Sequence, residues 1–253
     1  MKKINDKVNY IKVDLKNKNI LITGAGKGIG LSCVVDCLNN GANVFALIRS
    51  KNDLKNLKKY KNLYIFYGDV RDQKVLKKIF SFSKKINNSI NCLVNNAGVR
   101  QRKKFGEITD KDLKNLFDIN FFSVFKLCQT FVKNLKKKEK GSVINVGSIV
   151  GTYGFSNLSG YASSKKALEG LTKCLAVEMG SRNINFNCIN PGFTKTSYFS
   201  KFKKKKLYDW TLNKISMKRW AESGEISKLV VFLASNNSSY INGEVINIDG
   251  GWN

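Results

Sequence analysis

Along the chain, apolar runs of five or six residues alternate with longer stretches whose apolar positions recur every three or four residues. Short runs rich in β-branched residues read as buried strands, and the longer spacing reads as amphipathic helix. Strands are predicted at Asn19–Thr23, Asn43–Ile48, Leu63–Tyr67, Ile90–Asn95, Ser142–Val146, Asn185–Ile189 and Glu244–Ile248. Helices are predicted between them, at about Gly28–Asn39, Asp53–Tyr60, Gln73–Ile86, Asp110–Lys137, Leu158–Gly180 and Gly224–Ala234. Strands that are apolar nearly throughout are covered on both faces, as in a parallel sheet. With helices as right-handed crossovers, the expected fold is α/β: a doubly wound parallel sheet of about seven strands flanked by helices. No repeat or linker divides the pattern, so residues 14–253 are expected to form one domain behind an N-terminal extension at 1–13. The irregular stretch at about 193–220 begins just after the only proline, Pro191. Ligands in such folds sit beyond the carboxyl ends of the strands, so this stretch is positioned to be a lid.

Composition narrows the chemistry. The 253 residues are 42% apolar and 25% charged, ordinary for a globule, but they carry a formal charge of +27 and no histidine. Triads built on histidine, His-ligated zinc and histidine pH switches are therefore excluded. The charge invites a nucleic-acid reading. The chain is also rich in neutral asparagine, however, which selection for phosphate binding does not explain and A-rich codons do. Weak, salt-sensitive and non-specific nucleic-acid binding is the expectation. Cys33, Cys37, Cys92, Cys128, Cys174 and Cys188 occur singly within predicted helices and strands. They are expected to be reduced, buried thiols of a cytoplasmic protein. The first 18 residues are polar and unlike a secretion signal, and no apolar run has the length of a membrane span.

The segment Thr23-Gly24-Ala25-Gly26-Lys27-Gly28-Ile29-Gly30 joins the first strand to the first helix. There Gly24 permits a tight turn, Gly28 lets backbone approach a pyrophosphate, and Gly30 lets the helix pack closely. A Walker-type nucleotide loop is disfavoured, because Lys27 is followed by Gly28 and not by Ser or Thr.

Further motifs follow in order: Gly68-Asp69-Val70, Asn95-Asn96-Ala97-Gly98, Asn120, Ser148 with Tyr161-x-x-x-Lys165, and Asn190-Pro191-Gly192. Together with the glycine loop, this set resembles the short-chain dehydrogenase/reductase family over about Asp14–Trp252. Tyr161 and Lys165 are four apart and share a helix face. A tyrosine with a pKa near ~10 is a poor acid/base at neutral pH, and a neighbouring ammonium is expected to lower it. The resemblance implies a Rossmann-type domain in which Tyr161 transfers the proton and Lys165 also holds the nicotinamide ribose. It implies further that Ser148 binds the substrate oxygen and Asn120 holds a relay water. Taken singly, each of these residues has a plain structural reading as packing tyrosine, solvated lysine or cap.

The resemblance also implies a cofactor site of Gly24, Lys27, Gly28, Ile29, Gly30, Arg49, Asp69, Val70, Asn96, Ala97, Gly98, Tyr161, Lys165, Pro191, Gly192 and Thr196. Asn95 is expected to brace a neighbouring strand instead. The position where an acid binds the ribose 2′-hydroxyl reads Ile48-Arg49-Ser50, and Lys27 lies in the glycine loop. That pair resembles NADP-preferring members, so NADP(H) is expected to be favoured, with NAD(H) also possible. The run Gly147–Thr152 resembles 3-oxoacyl-carrier-protein reductases. Val99–Arg102, Arg219-Trp220 and the ending Asp249–Trp252 resemble gluconate-type sugar-acid dehydrogenases, with Arg102 placed to bind a carboxylate. Lys201, Lys203, Lys204, Lys205 and Lys206, interleaved with Phe199, Phe202, Tyr208 and Trp210, make the lid basic and aromatic. An anionic carbonyl substrate, free or on an acidic carrier protein, suits that lid; lysine bias on a solvated helix explains it as well. Phe117, Phe121, Phe122 and Phe125 fit either a homodimer or homotetramer interface or the core. A catalytically silent nucleotide-sensing or binding protein of the same fold is the alternative reading.

Overall fold

The computed structural model describes residues 13–50, 60–196 and 206–253. Strands β1 (Asn19–Thr23), β2 (Asn43–Ile48), β3 (Leu63–Tyr67), β4 (Cys92–Asn95), β5 (Gly141–Val146), β6 (Ile184–Pro191) and β9 (Val245–Ile248) form one sheet in the order β3-β2-β1-β4-β5-β6-β9. Every pairing in it is parallel. The strand order reverses between β1 and β4, which opens a crevice at the carboxyl edge.

Alternation along each strand sorts side chains between two cores. Ile20, Ile22, Val44, Ala46 and Ile48 pack with α1 (Gly28–Asn39) and α8 (Ser223–Ala234) on one face. Leu21, Phe45, Leu47, Leu93 and Val143 face α2 (Gln73–Lys85), α4 (Ser123–Asn134) and α6 (Ser159–Met179). A one-residue slip would exchange the two sets, so the paired faces hold the register, such as Leu21 opposite Phe45. Among the described residues, no helix is long and apolar enough to cross a membrane.

Three expectations change. The helix predicted over Asp110–Lys137 is α3 (Asp110–Phe117), a π turn at Asp118–Phe122, and α4, which stops at Asn134. The wider turn carries Asn120, which it delivers fully buried to the protein interior. A short helix, α5 (Ile149–Tyr153), follows β5 directly, and α7 (Lys206–Lys214) occupies part of the stretch expected to be irregular. Cys174 is exposed on α6, whereas the other five thiols are buried as expected. The helix predicted at Asp53–Tyr60, save Tyr60, and the lid residues Phe199, Lys201, Phe202, Lys203, Lys204 and Lys205 lie outside the described residues. A small parallel pair, β7 (Thr194–Lys195) and β8 (Ala221–Glu222), brackets the lid stretch.

Candidate active site

Two adjoining cavities lie along the carboxyl edge. The larger, about 440 Å³, runs over the β1–α1 loop and the ends of β2, β3 and β4. It is lined by Gly24, Lys27, Gly28, Ile29, Gly30, Arg49, Asp69, Val70, Asn96, Ala97, Gly98 and Thr196. The smaller, about 260 Å³, is lined by Ser148, Tyr161, Lys165, Pro191 and Gly192. Ile29, Asn96, Gly98, Val99 and Thr196 border both, which makes them one continuous cleft.

The glycine loop is held from behind. The side chain of Asn96 donates to the carbonyls of Thr23 (3.0 Å) and Gly24 (3.1 Å), and Thr23 Oγ1 accepts from the amides of Asn96 and Ala97. A Cβ on Gly30 would lie 2.2 Å from Gly24 O, so only glycine lets the helix start this close to the turn. Gly28, at φ +53°, turns the chain into α1. The first turn of α1 has neither a side-chain cap nor an acid, and its amides therefore offer donors to a ligand. Lys27 and Arg49 add positive charge to that cavity, while Asp69 is already paired with Arg71 at 2.8 Å. Hydrogen bonds from Arg71 hold the Asp69 carboxyl below its ordinary value, with the Arg49 charge contributing. A donor-rich helix start flanked by two cations fits a dinucleotide phosphate.

At the smaller cavity, Ser148 ends β5 and caps α5: its Oγ accepts from the Val150 amide at 3.2 Å. Its own amide donates to Asn190 Oδ1 at 3.0 Å. The Asn190 side chain is in turn fixed by donating to buried Glu169 Oε1 at 2.9 Å, and Lys166 pairs with the other Glu169 oxygen at 2.6 Å. Neither Asn190 nor Glu169 was singled out from the sequence for this role, since contacts across 21 and 42 residues leave no local signal.

Tyr161 and Lys165 stand on one face of α6, as their spacing predicts. Tyr161 lines the same cavity as Ser148. Lys165 is buried, donates to Val146 O at 2.7 Å, and is pushed down to about 8 by burial. The expected lowering of Tyr161 by the lysine ammonium is not what dominates. Burial lifts the phenol above its ordinary value, and the Ser148 hydrogen bond and the Arg100 charge work against that.

Asn120 lies behind the cavity lining. Its Oδ1 accepts from the Val99 amide (2.8 Å), and its Nδ2 donates to Val99 O (2.9 Å) and Ser164 Oγ (3.0 Å). A relay water there has only the second lone pair of Oδ1. Arg100 and Arg102 are both exposed, and of the two Arg100 lines the cavity. Asn95 donates to Asn145 Oδ1 at 2.8 Å, bracing β4 against β5 as expected. Arg219 is engaged by Glu225 through two 2.7 Å bonds. The outer wall is aromatic: Phe193 stacks on Trp252 at 5.3 Å and packs on Trp220 at 5.0 Å, and Trp210 meets Trp252 at 5.6 Å.

Residues 24–253 match the family described as enoyl-(acyl carrier protein) reductase. The 3-oxoacyl-[acyl-carrier-protein] reductase of Thermotoga maritima is 35% identical over 244 residues, covering 94% of this chain and 98% of that protein. The solved structure of a 4-hydroxyisoleucine dehydrogenase complexed with NADH is similar at TM-score 0.87 and 30% identity, covering 93% of this chain and 98% of that one. A putative 2-deoxy-D-gluconate 3-dehydrogenase from Agrobacterium tumefaciens with bound NADP is similar at TM-score 0.88 and 30% identity, with 96% and 99% covered. The chain therefore belongs to the short-chain dehydrogenase/reductase family and is an NAD(P)-dependent oxidoreductase acting on CH–OH groups.

Proposed function

We propose that this enzyme interconverts a ketone and a secondary alcohol on an anionic substrate, a 3-oxoacyl thioester or a keto-sugar acid, with NADP(H) favoured over NAD(H). The observation that carries the reading is the convergence of Ser148, Tyr161 and Lys165 on a cavity continuous with the glycine-loop cleft. The dinucleotide, when bound, supplies or accepts the hydride. Its phosphates fit the α1 amides with Lys27 and Arg49, its adenine side fits Asp69, Val70, Asn96, Ala97 and Gly98, and its nicotinamide side fits Ile29, Lys165, Pro191, Gly192 and Thr196.

In reduction, Ser148 Oγ holds the carbonyl oxygen and stabilises the charge that builds on it. Tyr161 gives its hydroxyl proton to that oxygen. Burial disfavours the phenolate, so the phenol holds its proton until the carbonyl oxygen takes it. Lys165 returns positive charge beside the phenolate left behind, and Asn120, by gripping Val99, fixes the segment that separates the two cavities.

The reading extends to a cytoplasmic protein, in keeping with six free thiols, and to a homodimer or homotetramer. Phe122 and Phe125 are exposed beside one another on the α4 side and supply an apolar surface for such an assembly. No specific nucleic-acid partner and no membrane are part of it. Oxidation of NADPH and of NADH across a panel of 3-oxoacyl thioesters and keto-sugar acids tests the proposal. Turnover of one class with NADPH favoured is expected; no turnover of any member would overturn it.

A further inference from the structure

Among the described residues lining the smaller cavity, Arg100 is the one charged side chain besides Lys165. Val99, Ile149, Val150, Phe193 and Trp220 supply apolar lining, and Asn96, Ser148, Tyr161, Thr194 and Thr196 supply polar lining. The backbone is fixed on both sides of Arg100. Asn120 grips the amide and carbonyl of Val99, while Asp112 accepts from Gln101 Nε2 and Lys103 Nζ, each at 2.7 Å. Asp112 is itself locked in a capping box with Thr109 at the start of α3. Gln101 and Lys103 both turn to Asp112, and of Arg100 and Arg102 it is Arg100 that lines the cavity. Arg100 and Tyr161 line the same cavity, and the arginine charge favours the ionised Tyr161 hydroxyl.

We propose that Arg100, and not Arg102, anchors the substrate by pairing with a carboxylate carried on the substrate itself, a few bonds from its carbonyl: an oxo acid and not a thioester. This rests on the reading of the Ser148–Tyr161 cavity as the carbonyl site and narrows its substrate class.

Acetoacetate, its neutral ethyl ester, and acetoacetyl-coenzyme A, whose phosphates are distant from the carbonyl, separate the possibilities. The enzyme is assayed with NADPH as wild type, Arg100→Ala and Arg102→Ala. In parallel, acetoacetate binding with NADP+ is followed by the fluorescence of Trp220, which lines the cavity. Loss of a charge-assisted bond predicts that Arg100→Ala lowers kcat/KM for acetoacetate at least about tenfold and weakens its binding similarly, with the ester changed far less. A loss that follows Arg102, falls only on the thioester, or falls equally on acid and ester would overturn the inference. If no carbonyl compound turns over while Arg100→Ala still abolishes carboxylate binding, the catalytic reading fails and the anion site stands. If acid and ester both turn over unaffected by Arg100→Ala, the catalytic reading stands and the anion site fails.

Discussion

Replacing Lys165 by methionine should change how stability depends on pH, by an amount the burial of its ammonium sets. Lys165 is 5% exposed, and burial brings it from 10.5 to about 8. The unfolded chain returns it to the ordinary lysine value. Because the folded value is the lower one, below about pH 8 both states hold the proton and the full cost of burying the charge is present. Between about 8 and 10.5 the unfolded state binds the extra proton, so unfolding becomes harder as pH rises; above that window the cost is gone. The displacement corresponds to on the order of 3 kcal/mol. Lys165→Met has no such proton to lose. Losing the donor to Val146 O shifts its stability by an offset that does not depend on pH. Urea unfolding of both proteins at matched m-values, below pH 8 and near pH 10.5, measures the difference. Wild type should gain on the order of 3 kcal/mol relative to the variant across the window. Parallel pH profiles would refute the claim that this lysine is held as a buried cation against its solvation.

Two further substitutions probe the larger cavity. Arg49→Asp removes one cation and adds an anion where a 2′-phosphate is expected, so the NADPH-to-NADH ratio of kcat/KM should fall by roughly tenfold or more; an unchanged ratio would sink the NADP preference. Gly30→Ala drives a Cβ to within 2.2 Å of Gly24 O, and the strain should cost about 1–3 kcal/mol. Thermal unfolding with and without NADP+ should then show a lower Tm and a smaller rise on adding the dinucleotide; a wild-type rise would refute the close-approach role of this glycine.

The sheet was legible because its strands are apolar on both faces and helices separate them, a pattern few other folds require. Thr23–Gly30, Tyr161 and Lys165 were legible for a similar reason: the chemistry sits in local spacing on a turn or a helix face. What was not legible depended on contacts between distant segments. The π turn that delivers Asn120 interrupts an apolar periodicity that runs through it unbroken. The choice between Arg100 and Arg102 depends on Asp112 and Asn120, which hold Val99, Gln101 and Lys103 from outside their segment. Spacing gives the proximity of Tyr161 to a charge and gives no measure of desolvation, which raises its pKa. The lysine ammonium, moreover, is directed to Val146 O.

The central claim is that Tyr161 is the proton donor of a carbonyl-reducing site and that the dinucleotide site is built independently of its hydroxyl. Tyr161→Phe removes one oxygen from a side chain that meets Ser148, and it leaves the α1 amides, Lys27 and Arg49 in place. The decisive measurement is NADPH binding and turnover on the same preparation of this variant. Dinucleotide affinity within a few-fold of wild type and turnover reduced by about 10²–10⁴ are expected. Turnover within a few-fold of wild type would contradict the proton-donor role of Tyr161.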